Sequence, residues 1–252
     1  MTFSSIERRI ARFKPLSRPE SAALQALGRR VADAQRGEFL LGPEDTSHQT
    51  VLMHSGWAML YRDLADGRRQ IMQFCLAGDL VDPCNLLLTK RDFSIAAVTK
   101  VTYSLVSFSE LTAVIERYPG LALGLLWGEA REIYLLRSHL LSVGRLTAKE
   151  RLASLFLELW ERLTVVGQAG SEYFQMPANQ EMLADATGLS SVHVSRTLNA
   201  MQAEGLIERH GHGYLLINYA LLRDLVPDML IPDKLPCDTA TMTLVTDPDK
   251  DG

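Results

Sequence analysis

The feature that most constrains the fold is the stretch NQEMLADATGLSSVHVSRTLN, which begins at Asn179. Asn179 is a favoured residue for the start of a helix. Gly188 is typical of a helix end, because glycine adopts the positive φ that the turn needs, and Ser190 is placed to cap a second helix. Two helices joined this tightly must nearly touch, which requires a small residue such as Ala184 at the contact. The pattern predicts a helix-turn-helix over residues 179–198.

The second helix of this unit predicts a surface for reading DNA. With Val194 and Leu198 buried, the opposite side of the helix is free to enter a major groove by its first turns. Arg196 suits a guanine or a phosphate, and Asn199 suits a phosphate or an adenine, although either could be an ordinary solvated side chain. The candidate DNA contacts on this helix are Ser190, Ser191, Val192, His193, Ser195, Arg196 and Asn199.

A β-hairpin is predicted after the second helix. The runs Glu204–Arg209 and Tyr214–Ile217 have the composition of two strands, and His210–Gly213 forms the turn between them. Such a hairpin is the wing that often flanks a recognition helix, and its candidate phosphate contacts are Arg209, His210 and His212. The two histidines could instead hold a metal ion, but no cysteine or carboxylate completes the set, so we expect no metal.

Short strands dominate residues 31–108. Asp66-Gly67 between two alternating runs is a strong hairpin signal, and Gly78-Asp79 marks the next turn. About seven or eight short strands with frequent turns favour a small antiparallel barrel or jelly roll. Two short helices, 6–13 and 18–30, are predicted before the strands.

A long helix is predicted over Leu121–Val143, after a shorter helix that Ser109 caps. Its apolar residues recur at seven-residue spacing with others three residues on, which is the seam of two packed helices, although a core position within one chain is an alternative. The candidate dimer-interface residues are Leu126, Ile133, Leu136, Leu140 and Val143. Gly144 is predicted to end this helix, and the capping box of Thr147 and Glu150 is predicted to begin the next.

The charge of the chain is low and unevenly distributed. The formal net charge is −4, and residues 227–252 alone carry six Asp against two Lys. This segment lacks periodicity and is rich in Pro and Thr, so we predict a disordered acidic tail. Residues 171–226 hold six acidic residues against three arginines. Phosphate affinity must therefore come from a few placed groups, or else the helix-turn-helix is degenerate and the protein is a ligand sensor acting through a protein partner.

Composition also indicates where the protein acts and which classes are disfavoured. No run approaches the ~18 apolar residues of a membrane span, and charges interrupt the N-terminus where a secretory signal would be apolar. The three cysteines are too scattered for a disulfide framework. The sequence has no nucleophile motif, glycine-rich phosphate loop or metalloprotease helix. We therefore expect a cytoplasmic protein with no catalytic residues and no cofactor, and an enzyme is the least favoured class.

The chain resembles the Crp/Fnr family of bacterial transcription regulators over about residues 6–222. The motifs that carry the resemblance stand in the family's order and are Asp66–Ile71, Ala77–Asp79, Leu146–Ala153, Val194–Arg196 and Glu204–Ile207. The resemblance implies an α+β chain. Its implied parts are a cyclic-nucleotide-binding-like antiparallel β-roll (jelly roll) at 1–110, a dimerisation helix region at 111–144 and a winged helix-turn-helix DNA-binding domain at 145–222.

The resemblance also implies partners. The family forms homodimers that bind double-stranded DNA at palindromic sites, and RNA polymerase is the implied protein partner. An effector, either a small molecule or a redox signal, is implied for the β-roll, and the sequence does not identify it.

Departures from the family pattern indicate what the β-roll does not bind. Members that bind cyclic AMP hold its phosphate with an Arg-Ser pair and its ribose with a Gly-Glu pair. Here Phe93-Ser94 and Val81-Asp82-Pro83 stand in those places. Without the arginine, the phosphate loses its charge-assisted hydrogen bonds, so we predict that cyclic AMP is not the effector. If it did bind, Arg68 or Arg69 would be the first candidates for a substitute cation.

The cysteines and the recognition helix depart from the family as well. Oxygen sensors of the family hold an iron–sulfur cluster with cysteines near the N-terminus. Here no cysteine precedes Cys75, which excludes a four-thiolate cluster within one subunit. Cys75 and Cys84 flank the Gly78-Asp79 turn, where a sensing role and the role of ordinary buried residues are both open. Many members carry Glu where Val192 stands, so we expect a DNA sequence that differs from the common family half-site.

Overall fold

A computed structural model describes residues 4–27, 29–88, 91–170, 173–210, 213–216 and 219–227, with the backbone alone at 209–210 and 213–216. Two predicted features lie outside these residues. They are the acidic tail beyond Pro227, and His212 of the wing. The chain begins with two short helices, α1 (Ser5–Ala11) and α2 (Arg18–Leu27). In each, a glutamate accepts a hydrogen bond from the backbone N–H of the serine three residues earlier, at 2.5 Å and 2.8 Å, so both begin with a capping-box contact.

The β-roll consists of eight strands and a short 3-10 helix at Pro83–Leu87. The strands are β1 (Val31–Ala34), β2 (Phe39–Leu41), β3 (Gln49–Ser55), β4 (Ala58–Asp63), β5 (Arg69–Cys75), β6 (Leu80–Val81), β7 (Ser94–Ala97) and β8 (Val101–Ser107). They form two antiparallel four-stranded sheets, in the orders β1-β8-β3-β6 and β2-β7-β4-β5. Val51, Leu60 and Ile95 belong to the core that the two sheets share. The predicted jelly roll is confirmed.

The turn between β5 and β6 brings the roll against α1. Gly78 in this turn has a φ of +88°, and a Cβ at this position would lie 2.6 Å from the backbone of Ser5. Both the positive φ and the lack of space require glycine. The turn therefore fixes the adjacent Asp79 against the N-terminal helix.

Two helices continue from the roll, α3 (Phe108–Arg117) and α4 (Pro119–Arg145). Ser107 caps α3, because its Oγ accepts a hydrogen bond from the backbone N–H of Glu110 at 3.2 Å. The prediction that Ser109 caps this helix was wrong, since β8 runs directly into α3 and its last residue supplies the cap.

The break after α4 falls two residues later than predicted. Gly144 lies within α4, so its predicted role as a helix end is wrong. The next helix, α5 (Ala148–Val166), begins with the predicted capping box: Glu150 Oε2 accepts from the backbone N–H of Thr147 at 2.7 Å. The chain thus turns sharply at Leu146, between two helices that pack on each other.

The C-terminal part adds three helices and three strands. They are α6 (Gln180–Thr187), α7 (Ser191–Ala203), α8 (Tyr219–Leu225), β9 (Tyr173–Phe174), β10 (Ile207–His210) and β11 (Gly213–Leu216). β11 pairs with both β10 and β9, so the predicted hairpin belongs to a three-stranded sheet. Phe156 of α5 shares one core with Phe74 of the roll, so the two halves are packed together. No helix in the described part of the chain is long and apolar enough to span a bilayer.

Candidate nucleic-acid interface

The local geometry of the helix-turn-helix confirms the predicted caps. Asn179 Oδ1 accepts from the backbone N–H of Met182 at 2.8 Å, which starts α6. Ser190 Oγ accepts from the backbone N–H of His193 at 3.2 Å, which starts α7. Gly188 ends α6 with a φ of +66°. The chain can therefore reverse between the two helices within three residues.

Each helix of this unit buries one face. Ala184 is 5 % exposed, as expected for a small residue at a close helix contact. The buried residues on α7 include Val194, Leu198 and Met201. Arg151 of α5, which sequence analysis did not single out, donates to the carbonyl oxygen of Thr187 at 3.0 Å and so satisfies the C-terminal end of α6. These contacts fix α7 to the rest of the domain.

The opposite side of α7 carries the predicted DNA contacts. The exposed residues are Ser190, Ser191, Val192, His193, Arg196 and Asn199, and Ser195 is half-buried. Arg196 is the only Lys or Arg on this helix. Within the part of the chain that the structure describes, it makes no hydrogen bond or ion pair. Its guanidinium is thus available to an anionic or hydrogen-bonding ligand.

The wing lies after α7 in a register that shortens the predicted turn. Ile207 pairs with Leu216, and His210 pairs with Gly213, so only residues 211–212 join the two strands. Ile207 is 1 % exposed and anchors the first strand in the core. The side chains of Arg209 and His210, and all of His212, lie outside the described residues, so their roles as phosphate contacts stay predictions.

The predicted dimer interface is an exposed apolar stripe on α4. The exposed fractions are 64 % for Leu126, 48 % for Ile133, 57 % for Leu136, 75 % for Leu140 and 37 % for Val143. The core of the single chain is formed by other residues of α4, such as Leu121 and Leu135, which are buried. The alternative of a core position is therefore wrong for the five stripe residues. A row of large exposed apolar side chains is typical of a surface that a partner covers.

A buried cluster of charges joins the roll to the C-terminal half. We call it the ionic joint, and its members are Arg9, Asp79, His139, Glu158 and Arg162. Arg162 is fully buried and donates to Asp79 Oδ2 at 2.8 Å and to Glu158 Oε1 at 2.9 Å. Arg9 lies 2.8 Å from the other oxygen of Asp79, and His139 Nε2 lies 2.5 Å from Glu158 Oε2. The joint therefore ties α1, the β5–β6 turn and α4 to α5.

Burial and mutual attraction shift the pKa values of these groups in opposite directions. Burial alone would raise the pKa of Glu158, but His139 and Arg162 lower it to about 2. Burial alone would lower the pKa of His139, but Glu158 raises it above its usual value. Glu158 is thus ionised at neutral pH. A buried charge that loses its partner strongly destabilises the folded protein. Removal of any one member of the joint should therefore lower the stability of the fold.

A cavity of about 250 Å³ lies between the roll and α4. Phe93 forms part of its wall and is 4 % exposed. The ionisable groups that line it are Asp82, Asp92, Glu129, Glu132, His139 and Glu158, with no arginine or lysine among the described lining residues. Arg68 and Arg69, the candidates for a substitute cation, pair with Asp66 and Asp63 at the β4–β5 hairpin and are not among the described residues that line this cavity. This carboxylate-rich wall opposes the binding of a phosphate.

The thiols of Cys75 and Cys84 are poorly suited to redox sensing. Burial raises the pKa of Cys75 well above its usual value. Cys84 is an exposed residue, but partial desolvation of its thiol and a hydrogen bond with Glu129 raise its pKa to about 12. Since the thiolate is the reactive form, these shifts disfavour a sensing role for either residue.

The fold and the exposed helix define a class of protein, a winged helix-turn-helix joined to a cyclic-nucleotide-binding-like roll. Comparison with known proteins agrees for both parts. Residues 32–118 match the family model of the cyclic nucleotide-binding domain, and residues 150–225 match that of the Crp-like helix-turn-helix domain.

Relatives that are similar over most of the chain identify the family to which both parts belong. The chain is 30 % identical over 210 residues to the nitrogen fixation regulation protein FixK of Bradyrhizobium diazoefficiens, which covers 83 % of this chain and 87 % of that protein. It is 26 % identical over 186 residues to the transcriptional activator protein FnrL of Cereibacter sphaeroides, covering 73 % and 74 %. The solved structure of FixK2 from Bradyrhizobium japonicum matches with a TM-score of 0.69 at 26 % identity, covering 78 % of this chain and 96 % of that one. The chain belongs to the Crp/Fnr family and is a DNA-binding transcription regulator of that type, as predicted.

Proposed function

We propose that the protein regulates transcription as a homodimer that reads a palindromic DNA site through α7. The observation that carries the proposal is the two-sided character of this helix. One side is buried against the domain, and the other presents Arg196 with no partner among the described residues. The first turns of such a helix enter the major groove, where Arg196 can fork onto a guanine or hold a phosphate. Ser190, Ser191, Val192, His193, Ser195 and Asn199 complete the proposed contact surface.

The proposed dimer forms through the apolar stripe of α4. From Leu126 to Val143 the stripe runs about 26 Å along the helix, which is long enough for a paired seam. The five exposed side chains support this proposal because removing apolar surface from water is favourable. A two-fold dimer would place two copies of α7 about 34 Å apart, so the site would be an inverted repeat with half-sites about one DNA turn apart.

The proposed route from sensor to DNA is the ionic joint. Asp79 belongs to the roll and Arg162 to the helix that supports the helix-turn-helix, and their ion pair is fully buried. A change in the roll that moves the β5–β6 turn would thus also move α5 through this ion pair. The carboxylate-rich cavity beside α4 supports the prediction that cyclic AMP is not the effector. RNA polymerase is the proposed protein partner on the DNA.

One observation favours a second function. Residues 171–226 hold six acidic residues against three arginines, which is an unfavourable balance for a DNA-binding segment. The alternative is a ligand-sensing protein that acts through a protein partner and whose winged helix is degenerate.

Selection of bound sequences from random DNA, followed by gel-shift titration against salt, tests the proposed function. We expect an inverted repeat to be enriched, and the logarithm of its affinity to fall steeply and linearly with the logarithm of the salt concentration. A scrambled site of equal length is the control for non-specific binding. Adding cell extract shows whether an effector is needed. If no sequence is enriched under either condition, the alternative function is favoured.

A further inference from the structure

A second, larger cavity lies where α4 meets α1 and α5. Its volume is about 650 Å³, within the range of small-molecule sites. Residues of α1, the β5–β6 turn, α4 and α5 line it, and none of the five stripe residues does. The proposed dimer interface therefore does not fill this cavity.

The cavity combines flat aromatic surface with apolar residues. Trp127 of α4 and Trp160 of α5 both line it, and the ionic joint connects these two helices. Ile10 and Leu125 add aliphatic wall. Such a lining favours a ligand with a planar apolar body, because aromatic rings gain from stacking beyond the area that they bury.

Arg12 lines this cavity from the exposed surface, and among the more buried arginines of its wall, Arg131 is the least compensated. Its side chain is 14 % exposed, and its one ion pair within the described residues, with Glu132, is 3.7 Å long. Burial raises the pKa of Glu132 and also that of Glu129, the next acidic group on α4, so both hold their negative charge less firmly than a solvated glutamate. A guanidinium in such a place favours an anionic group that can accept two hydrogen bonds.

Two other arginines at the cavity wall have donor atoms without acceptors. Nη2 of Arg9 and Nε of Arg162 are buried, and neither has a hydrogen-bond partner within the described residues. Both arginines line the cavity. Unpaired buried donors require an explanation, and an anion bound nearby would supply one.

Gly128 keeps the cavity open. It lies in the middle of α4 and lines the cavity, and a Cβ at this position would meet no described atom within 4 Å. Glycine destabilises a helix interior relative to alanine, and no close packing at this position requires it. A larger side chain here would occupy the space that the cavity now provides.

We propose that this cavity is a binding site for a small planar organic anion, with its apolar body against Trp127 and Trp160 and its anionic group at Arg131. The ligand would contact α4 and α5 together and so favour one arrangement of the two helices. This regulatory consequence rests on the proposed function, whereas the binding itself does not.

Isothermal calorimetry on the full-length protein tests the proposal, with 2-naphthoate as the probe and neutral 2-naphthamide as its comparison. We expect saturable binding of 2-naphthoate and at least about ten-fold weaker binding of the amide. Gly128→Phe fills the cavity and Arg131→Gln removes the cation, and each should weaken binding at least about ten-fold. The matched controls are Gly144→Phe and Arg137→Gln, two exposed positions of α4 outside the cavity, and both should bind within about two-fold of the unsubstituted protein.

Three results would overturn the proposal: no saturable binding of 2-naphthoate, equal binding of the amide, or unweakened binding by both Gly128→Phe and Arg131→Gln. Circular dichroism establishes that each variant is folded. If Gly128→Phe does not fold, the Arg131→Gln and Arg137→Gln pair decides the outcome. Gel-shift measurements without the probe test DNA binding separately, so a failure of one proposal is distinguishable from a failure of the other.

Discussion

The ionic joint and the exposed side of α7 use arginine in opposite ways. Arg162 is fully buried and held between Asp79 and Glu158, with every ion-pair distance under 3 Å. Arg196 is exposed and is bonded to nothing else that the structure describes. A buried arginine held from two sides fixes the geometry of the elements around it, whereas an exposed one keeps its donors for a ligand. The same substitution should therefore damage folding in one region and DNA binding in the other.

Removal of the buried arginine should have the largest effect. Arg162→Ala leaves Asp79 and Glu158 without their shared partner, and we expect the free energy of unfolding to fall by about 3–5 kcal/mol. Urea denaturation followed by circular dichroism measures it. Arg137→Ala, on an exposed part of α4, is the matched control and should change stability by less than about 0.5 kcal/mol. A loss below about 1 kcal/mol for Arg162→Ala would mean that the joint does not hold the two halves together.

The apolar stripe should be the next most sensitive region, because it is exposed in one chain and buried only in the proposed dimer. Ile133 is 48 % exposed, so Ile133→Asp should leave the fold of the single chain intact. In a dimer the same change would bury an unpaired charge, which costs several kcal/mol, and sedimentation should then show a monomer. Ile133→Leu keeps the apolar contact and should remain dimeric. A dimeric Ile133→Asp protein would place the interface elsewhere.

The same contrast explains what could be predicted from the sequence. The helix-turn-helix was predictable because Asn179, Gly188 and Ser190 act on groups within a few residues of themselves. The pair of Arg162 and Asp79 joins positions 83 residues apart, and no local pattern marks either of them as a partner. The short strand β9 was missed for a similar reason, since two residues carry no alternation and acquire their structure only by pairing with β11.

Arg196 tests the exposed side of the comparison. Arg196→Ala should weaken binding to the selected site by roughly 1–3 kcal/mol if the guanidinium forks onto a guanine, and should relax specificity at one base pair in each half-site. If Arg196 only holds a phosphate, binding should weaken about equally on every sequence. Arg196→Lys separates the two roles, because lysine keeps the charge and lacks the planar fork. Unfolding free energy should stay unchanged in both variants.

Gln202→Ala is the control for this experiment, because Gln202 is exposed on the same helix but lies near its C-terminal end. It should bind the site as the unsubstituted protein does. Unchanged affinity of Arg196→Ala would contradict this account of recognition and favour the alternative function.

The smallest expected effect concerns pH and comes from His139 in the ionic joint. Glu158 raises the pKa of His139 in the folded protein. The stabilisation from the protonated histidine is therefore fully present below its unfolded pKa of about 6.5 and is lost as the pH rises through the higher folded value. Since the side chain is 26 % exposed, we expect the loss to stay below about 1 kcal/mol. His139→Gln should remove this decline in urea denaturation above neutral pH.

Two further groups make the pH experiment specific to the joint. The pKa of Glu158 is lowered to about 2, so its contribution is lost only in acid, between about pH 4.5 and pH 2, well separated from the histidine window. Burial lowers the pKa of His54 in the roll, so its effect has the opposite sign and a different window: stability grows as the pH rises towards the unfolded pKa of about 6.5. His54→Gln should thus remove a rise in stability below about pH 6.5 and leave the decline above it unchanged. If His139→Gln keeps the decline above neutral pH, or His54→Gln abolishes it, the ion pair between His139 and Glu158 is not the source of the pH dependence.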